Sequence, residues 1–173
     1  MKDSLITVLH AGLYPAHRNT ALGVKAGDPD AVAEAASLLE ALLPKAPVTL
    51  IPIPSHNGFP EGNMAVATAI AALHPQGTYI ISDLRSLPHA SRHDAKHGGT
   101  DPATLPAPRM DLARGETTLI NIAWCRDHGY TPFLLDDVAD TGATLREAAY
   151  MTGATDALVL DVTLRFFNDT IHD

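Results

Sequence analysis

Hydrophobic residues in this chain fall into short dense runs that alternate with stretches of helical spacing. The dense runs predict buried strands at residues 5–9, 48–53, 78–82, 132–138 and 157–163. Apolar positions with a helical period, bounded by proline, glycine or capping residues, predict helices at about 28–43, 64–73, 117–128 and 144–151. Strands that are apolar on both faces and alternate with helices are typical of parallel sheets covered on both sides. We therefore expect an α/β protein with a doubly wound, mainly parallel sheet.

Two stretches lack such periodicity. Gly12, Pro15, His17 and Asn19 mark an irregular connection after the first predicted strand. The second stretch, residues 83–115, contains four prolines and no regular apolar spacing. A structureless loop of that length is uncommon inside a compact domain and is usually functional or disordered. We expect a long flexible loop there.

Length, composition and charge narrow the class of protein. A chain of 173 residues, 46% hydrophobic and 18% charged, predicts one domain, spanning 1–173, with a sizeable core. The net charge of −8 argues against binding nucleic acid through the whole surface. Cys125 is the only cysteine, so neither an internal disulfide nor a cysteine-based zinc ribbon can form. With neither a secretory h-region nor a run of about 18 apolar residues, we expect a cytoplasmic protein without a membrane span.

The strongest chemical signal lies at the end of the fourth predicted strand. Asp136 and Asp137 directly follow the apolar residues at 133–135. In open α/β sheets, ligands bind at the carboxyl ends of the strands. Two adjacent carboxylates offer acceptors for a vicinal diol, which suits the 2′- and 3′-hydroxyls of a ribose.

The turn after these acids suits a phosphate group. The sequence Asp140-Thr141-Gly142-Ala143-Thr144 leads directly into a predicted helix. Backbone N–H groups at a helix N-terminus can cradle a phosphate, and glycine lets the backbone approach it closely. The two threonines add hydroxyl donors. The whole segment therefore predicts a site for a ribose 5-phosphate group.

Residues 132–145 resemble the phosphoribosyl-pyrophosphate (PRPP) motif of type I phosphoribosyltransferases. That motif has a run of apolar residues, two acids, two apolar residues and a threonine-glycine-x-threonine turn. Ala139 is smaller than the aliphatic residue usual at its position. The resemblance implies that Asp136 and Asp137 hold the ribose hydroxyls together with a Mg²⁺ ion. It also implies that residues 140–144 hold the 5-phosphate.

Other functions also place acids after an apolar strand. A Walker B element of a nucleotide hydrolase does so, but it requires a partner G-x-x-x-x-G-K-[ST] loop, which this chain lacks. A response-regulator acid pocket accounts for Asp136 and Asp137 but not for the turn at 141–144. A plain strand-turn-helix with an aspartate cap is the remaining structural alternative.

A wider likeness covers roughly residues 20–165. The segment Lys25-Ala26-Gly27-Asp28, the proline-x-proline strand end at 52–54, and Gly62-Asn63 at a helix start resemble the competence-associated ComF group of phosphoribosyltransferases. The cysteine-rich module of many such proteins is absent, and Ser55-His56-Asn57-Gly58 replaces their arginine-rich stretch. The resemblance implies a pyrophosphate loop after Ile53, with Ser55 and His56 as contacts. An ordinary turn before a helix is the alternative.

Residues 91–99 form the most basic stretch, and Arg92, Lys96 and His97 are its candidate catalytic residues. The stretch is similar to the flexible catalytic loop of orotate phosphoribosyltransferases, although its spacing is one residue short. A mobile basic lid would neutralise a leaving pyrophosphate and exclude water. Two alternatives stay open: a zinc site on His89, His93 and His97, which are four residues apart, or a solvated loop without a role.

These resemblances imply a Mg²⁺-dependent phosphoribosyltransferase whose substrates are PRPP and a small-molecule acceptor, a nitrogenous base or an amine. Asp140 is the candidate general base, by likeness to purine-specific relatives, or else only a helix-start residue. A protein of the same fold that senses PRPP or a nucleotide without catalysis is the alternative function. Homodimers are common in this family, but nothing in the sequence demonstrates one.

Overall fold

A computed structural model of the chain describes residues 6–87 and 109–166. Five parallel strands form the central sheet in the order β1-β7-β6-β2-β3. They are β1 (Thr7–Leu13), β2 (Val48–Pro52), β3 (Thr78–Ile80), β6 (Thr131–Ala139) and β7 (Asp156–Val162). A separate antiparallel pair consists of β4 (Leu84–Ser86) and β5 (Met110–Leu112). The helices are α1 (Arg18–Ala26), α2 (Pro29–Glu40), α3 (Glu61–Leu73), α4 (Glu116–Asp127) and α5 (Ala143–Thr152).

Both faces of the sheet are covered because its strands are apolar on both sides. Leu50 and Leu135 pack into a core with α1, α2 and α3. Their chain neighbours Ile51 and Leu134 point the other way, into a core with α4, α5 and the β4–β5 pair. The predicted α/β class with a mainly parallel sheet is therefore confirmed. In the described ranges, no helix has both the length and the apolar character needed to cross a bilayer.

The connections that leave the neighbouring strands β2 and β6 run over opposite faces of the sheet. The connection from β2 to β3 runs through α3 on one face, and the connection from β6 to β7 runs through α5 on the other. Because these two neighbouring strands send their chains to opposite sides, a crevice opens beyond their carboxyl ends. Ligands of open α/β folds bind in such a crevice. The loops after β2 and β6 therefore border the crevice in which a ligand is expected to bind.

The predicted irregular connection marked by Gly12, Pro15, His17 and Asn19 is shorter than expected, because Pro15 and His17 lie in it but Gly12 belongs to β1 and Asn19 to α1. β1 continues to Leu13, and α1 follows at Arg18. The hydrophobic pattern did not predict α1, because only Thr20, Ala21 and Val24 are buried and these are too few to form a recognisable apolar stripe. Its end does have a sequence marker, since Gly27 adopts the left-handed conformation that terminates helices (φ 75°).

The prediction of a loop over the whole of residues 83–115 was wrong at both ends. Residues 84–86 and 110–112 pair as β4 and β5, strands of three residues that are too short to produce a periodic signal. The Leu87 N–H donates to the Arg109 carbonyl at 3.0 Å and closes the base of the pair. Residues 88–108 lie outside the described ranges.

A polar contact at the carboxyl end of β7 anchors the start of α1. The carboxyl group of Asp161 is fully buried; its Oδ2 accepts the His17 backbone N–H at 2.9 Å, and its Oδ1 lies 2.8 Å from His17 Nδ1. Residue 12 of β1 stands opposite Asp161, and a Cβ there would come within 2.7 Å of the His17 ring. Glycine at position 12 is therefore what gives the imidazole room to reach the carboxyl group.

We predict that Gly12→Ala lowers the free energy of unfolding by about 1–3 kcal/mol, because the added methyl group displaces the His17 ring. In a His17→Ala background the same substitution should cost clearly less, since the ring that it strikes is gone. Urea unfolding of the four proteins of this cycle measures both costs. Equal costs in the two backgrounds would show that the methyl group disturbs something other than the histidine.

Candidate functional site

The two acids at 136 and 137 lie where β6 extends beyond its neighbour. The ladder between β2 and β6 ends with Pro52 opposite Leu135, whereas β6 itself continues to Ala139. The acids are therefore at the carboxyl edge of the sheet, in the crevice beside the end of β2. β6, which the sequence predicted at 132–138, continues through both acids to Ala139.

Asp136 is buried, with 8% of its surface exposed. Its Oδ1 accepts hydrogen bonds from Asn63 Nδ2 at 3.2 Å and from the Asp137 N–H at 2.9 Å. No hydrogen bond from the described part of the chain reaches its Oδ2. Burial, followed by the charge of the neighbouring Asp137, holds the pKa of Asp136 well above its usual range, and the two hydrogen bonds only partly oppose this shift.

The surroundings of Asp137 differ from those of Asp136. Its Oδ1 accepts the Val138 N–H at 2.9 Å, and its Oδ2 lies 2.9 Å from the ammonium nitrogen of Lys25, at the end of α1. Partial burial acts to lower the pKa of Lys25, but the attraction of Asp137 and, more weakly, of Asp136 outweighs it, so the pKa is raised. The two acids are adjacent in sequence but do not have equivalent environments.

The turn after β6 surrounds a cavity of about 150 Å³. Gly142 adopts the left-handed conformation (φ 71°) and begins α5 without a side-chain cap, so the first N–H groups of the helix have no intrahelical acceptor. A Cβ on residue 142 would lie 2.8 Å from Phe166 Cε2, which leaves no room for another residue type. The cavity is lined by Asp136, Val138, Ala139, Asp140, Thr141, Gly142, Thr144 and Leu145.

Of the residues predicted for the phosphate turn, four line this cavity and one does not. Ala143 does not line it, and its backbone N–H donates to Thr141 Oγ1 at 3.4 Å. Asp140 is tied to the end of β7, because the Thr163 hydroxyl donates to its Oδ1 at 2.9 Å and to its carbonyl at 3.1 Å. Arg165 lies farther off, at 4.0 Å from the Asp140 carboxylate. The turn is thus held in place from β7 while its inner surface faces the cavity.

The loop after β2 is closed on itself. The N–H and the hydroxyl of Ser55 both donate to the Phe59 carbonyl, at 3.0 and 3.1 Å, and the hydroxyl also contacts the Asn57 side chain. The Ser55 N–H therefore already has an acceptor within the loop. His56 is exposed at its tip. The roles predicted for Ser55 and His56 as pyrophosphate contacts stay predictions.

The β4–β5 pair lies beside the loop after β2. The Ser86 N–H donates to the Gly58 carbonyl at 3.3 Å, and the guanidinium of Arg85 lies 5.5 Å from the centre of the Phe59 ring. Arg92, Lys96 and His97, the predicted lid residues, lie outside the described ranges, as do the alternative zinc ligands His89 and His93. Among the residues that the structure describes, no group of three or more histidine, cysteine or acidic side chains could hold a metal ion.

Sequence reasoning did not identify three residues that contact the predicted site. Asn63, in the first turn of α3, donates both to the Ile53 carbonyl at 2.9 Å and to Asp136. Lys25 contacts Asp137, and Thr163 holds Asp140. Asn63 and Lys25 belong to segments already noted for their resemblance to the ComF group, so a signal existed, but no residue role had been attached to it. Nothing in the sequence marks Thr163.

The chain was compared with known proteins in two ways. A scan against protein-family models finds no match, and a search of curated proteins finds none either.

We predict that Asp136→Asn stabilises the fold at neutral pH. A raised folded-state pKa means that ionising this acid costs more free energy in the folded than in the unfolded chain, so its stabilising contribution is complete below about pH 4 and is lost as pH rises through the folded-state pKa. An asparagine keeps the acceptor oxygen for Asn63 and never ionises. The gain in the free energy of unfolding is expected to grow as pH rises above about 4 and to vanish near pH 4.

Urea unfolding of both proteins between about pH 4 and pH 8 measures this difference. Asp127→Asn, which removes an exposed acid at the end of α4, controls for the general loss of one negative charge. A gain that does not change with pH, or a loss of stability at neutral pH, would contradict the assigned environment of Asp136.

Proposed function

We propose that this protein is a Mg²⁺-dependent phosphoribosyltransferase, which transfers ribose 5-phosphate from PRPP to a nitrogenous base or an amine and releases pyrophosphate. The observation that carries the proposal is a single cavity with two complementary walls. One wall is Asp136, whose Oδ2 accepts no hydrogen bond from the described residues, and the other is the uncapped start of α5. An acceptor for sugar hydroxyls therefore faces donors for a phosphate.

The size of the cavity indicates which part of the ligand it suits. About 150 Å³ is roughly five water volumes and lies below the roughly 300 Å³ at which pockets for larger ligands begin. Such a space suits a phosphate with part of a sugar, not all of PRPP. The remainder of the ligand would lie over the open edge of the crevice, toward the loop after β2.

Magnesium fits the donors that are present. Mg²⁺ prefers oxygen ligands and is usually held by one or two carboxylates together with substrate phosphates and water. Asp136 would hold it through its open Oδ2, next to the diol of the ribose. When bound, the ion would supply positive charge that stabilises a leaving pyrophosphate.

The remaining chemistry falls to the residues of the chain. As the acceptor nitrogen bonds to ribose C1, the bond from C1 to the pyrophosphate oxygen breaks and the nitrogen gives up a proton. Asp140, at the cavity and 45% exposed, is the candidate base for that proton. The turn at 140–144 and Asp136 would hold the two ends of the ribose phosphate, so catalysis would rest mainly on positioning and on charge stabilisation of the leaving group.

We predict that the protein releases pyrophosphate when it is incubated with PRPP, Mg²⁺ and at least one member of a panel of bases and amines. Asp136→Asn and Thr144→Val should each weaken PRPP binding about tenfold or more, because each removes a polar group at the cavity. Asp156→Asn and Thr155→Val are matched controls at the opposite, amino edge of the sheet, and they should leave PRPP affinity unchanged. Calorimetry measures binding, and a pyrophosphate assay measures turnover.

The outcomes separate the candidate functions. PRPP binding without turnover across the panel would favour a PRPP sensor of the same fold. Absence of PRPP binding would overturn both functions. Weakening by the control variants to the same extent as by the cavity variants would show that the cavity is not where PRPP binds.

A further inference from the structure

Lys25 is a cation at the predicted site to which the family resemblance gives no role. Its ammonium nitrogen lies 2.9 Å from Asp137 Oδ2. The two partners differ in exposure: 59% of the lysine side chain is accessible to solvent, but only 13% of the aspartate side chain is. A buried carboxylate therefore holds a cation that is itself half exposed.

The oxygens of Asp137 are committed to the protein. Oδ1 accepts the Val138 N–H, whereas Oδ2 is buried, has no hydrogen-bond partner among the described residues and forms an ion pair with Lys25 at 2.9 Å. Asp137 also does not line the 150 Å³ cavity; it borders a void of only about 10 Å³ beneath the end of α1. A ribose diol would have to displace Lys25 to reach Oδ2. An ammonium group has three donors, and the ion pair with Asp137 leaves donors for a ligand.

The backbone that carries Lys25 is fixed in place. At its other end, α1 is anchored by His17 on Asp161. In the middle, a Cβ on Gly23 would lie 2.5 Å from the Ala31 Cβ, and a Cβ on Gly62 would lie 3.0 Å from the Val24 carbonyl oxygen. Two glycines thus let α1 pack closely on α2 and α3. The ammonium of Lys25 is therefore held at a set position beside the acids, unlike that of a lysine on a free surface.

We propose that Lys25 binds an anionic group of the ligand, and that Asp137 positions Lys25 instead of contacting the ribose hydroxyls. This inference rests on the proposed function for the identity of the anion. Asp136 borders both the void beneath α1 and the cavity at the 140–144 turn, so it lies between the two regions. With the 5-phosphate in the turn, the anion on the Lys25 side is the pyrophosphate group of PRPP.

The test uses the two halves of PRPP as separate probes, inorganic pyrophosphate and ribose 5-phosphate, each titrated calorimetrically into the full chain with Mg²⁺. Lys25→Met should weaken pyrophosphate binding about tenfold or more, because a charged hydrogen bond is lost, and should change ribose 5-phosphate binding by less than about threefold. Lys25→Arg should retain most of the pyrophosphate affinity. Lys45→Met, an exposed lysine at the amino edge of the sheet, is the matched control and should change neither affinity.

Asp137→Asn provides the sharpest comparison. Removing a negative charge near an anion site should tighten pyrophosphate binding if Asp137 acts only through its charge. If Asp137 positions Lys25, the same change should weaken pyrophosphate binding and leave ribose 5-phosphate binding unaltered. The double variant Lys25→Met/Asp137→Asn should then bind pyrophosphate no more weakly than Lys25→Met alone. Thermal unfolding confirms that each variant is folded.

Each contrary result has its own meaning. Weaker ribose 5-phosphate binding by Asp137→Asn, without an effect on pyrophosphate, would place the diol on Asp137 and overturn the inference. If Lys25→Met lowered the affinities for both probes equally, Lys25 would have only a structural role as the partner of Asp137. Binding of ribose 5-phosphate but not of pyrophosphate by the unaltered protein would overturn the inference and leave the ribose phosphate cradle standing. Binding of neither probe, nor of PRPP, would overturn the proposed function as well.

Discussion

The carboxyl group of Asp136 is buried beside a second acid where β6 extends beyond the end of β2, and the surrounding elements are arranged around that unfavourable placement. A buried acid must be neutralised, hydrogen-bonded or paired. Asn63 of α3 donates to it, the Asp137 N–H donates to the same oxygen, and Lys25 of α1 neutralises its neighbour. Three separate parts of the chain therefore converge on one strand end. Asp136 also lines the cavity at the 140–144 turn, where a ligand can reach it.

α1 connects the acids at the site with other parts of the fold. Its two ends contact acids on adjacent strands, His17 on Asp161 of β7 and Lys25 on Asp137 of β6. Close approach to α2 and α3 requires glycine at positions 23 and 62. The helix is thus held by polar contacts at its ends and by small residues in its middle, with few large apolar side chains. This explains how a short helix of weak amphipathic character occupies a defined place beside the site.

The site combines features that cost stability with features that favour binding. An acid with a raised pKa, a left-handed glycine and a helix start without a side-chain cap each reduce stability, yet all three border one cavity. The buried sheet beneath, with large side chains such as Leu134, Leu135 and Leu158 fully covered, supplies the rigidity that holds them. Polar groups in such a rigid frame are oriented before a ligand arrives, which lowers the cost of binding it.

The sequence by itself determined the α/β class, the buried strands to within a few residues, and the place of Asp136, Asp137 and the 140–144 turn in and directly after the strand predicted at 132–138. Each of these depends on local spacing, which a single chain displays directly. Only the tertiary structure decided that the two adjacent acids have different surroundings, that α1 exists, and that residues 84–86 and 110–112 pair. Those outcomes depend on contacts between distant segments, such as Lys25 with Asp137 and His17 with Asp161. Such contacts leave no periodic trace in either segment, because the free energy that stabilises them arises only when the sheet brings the segments together.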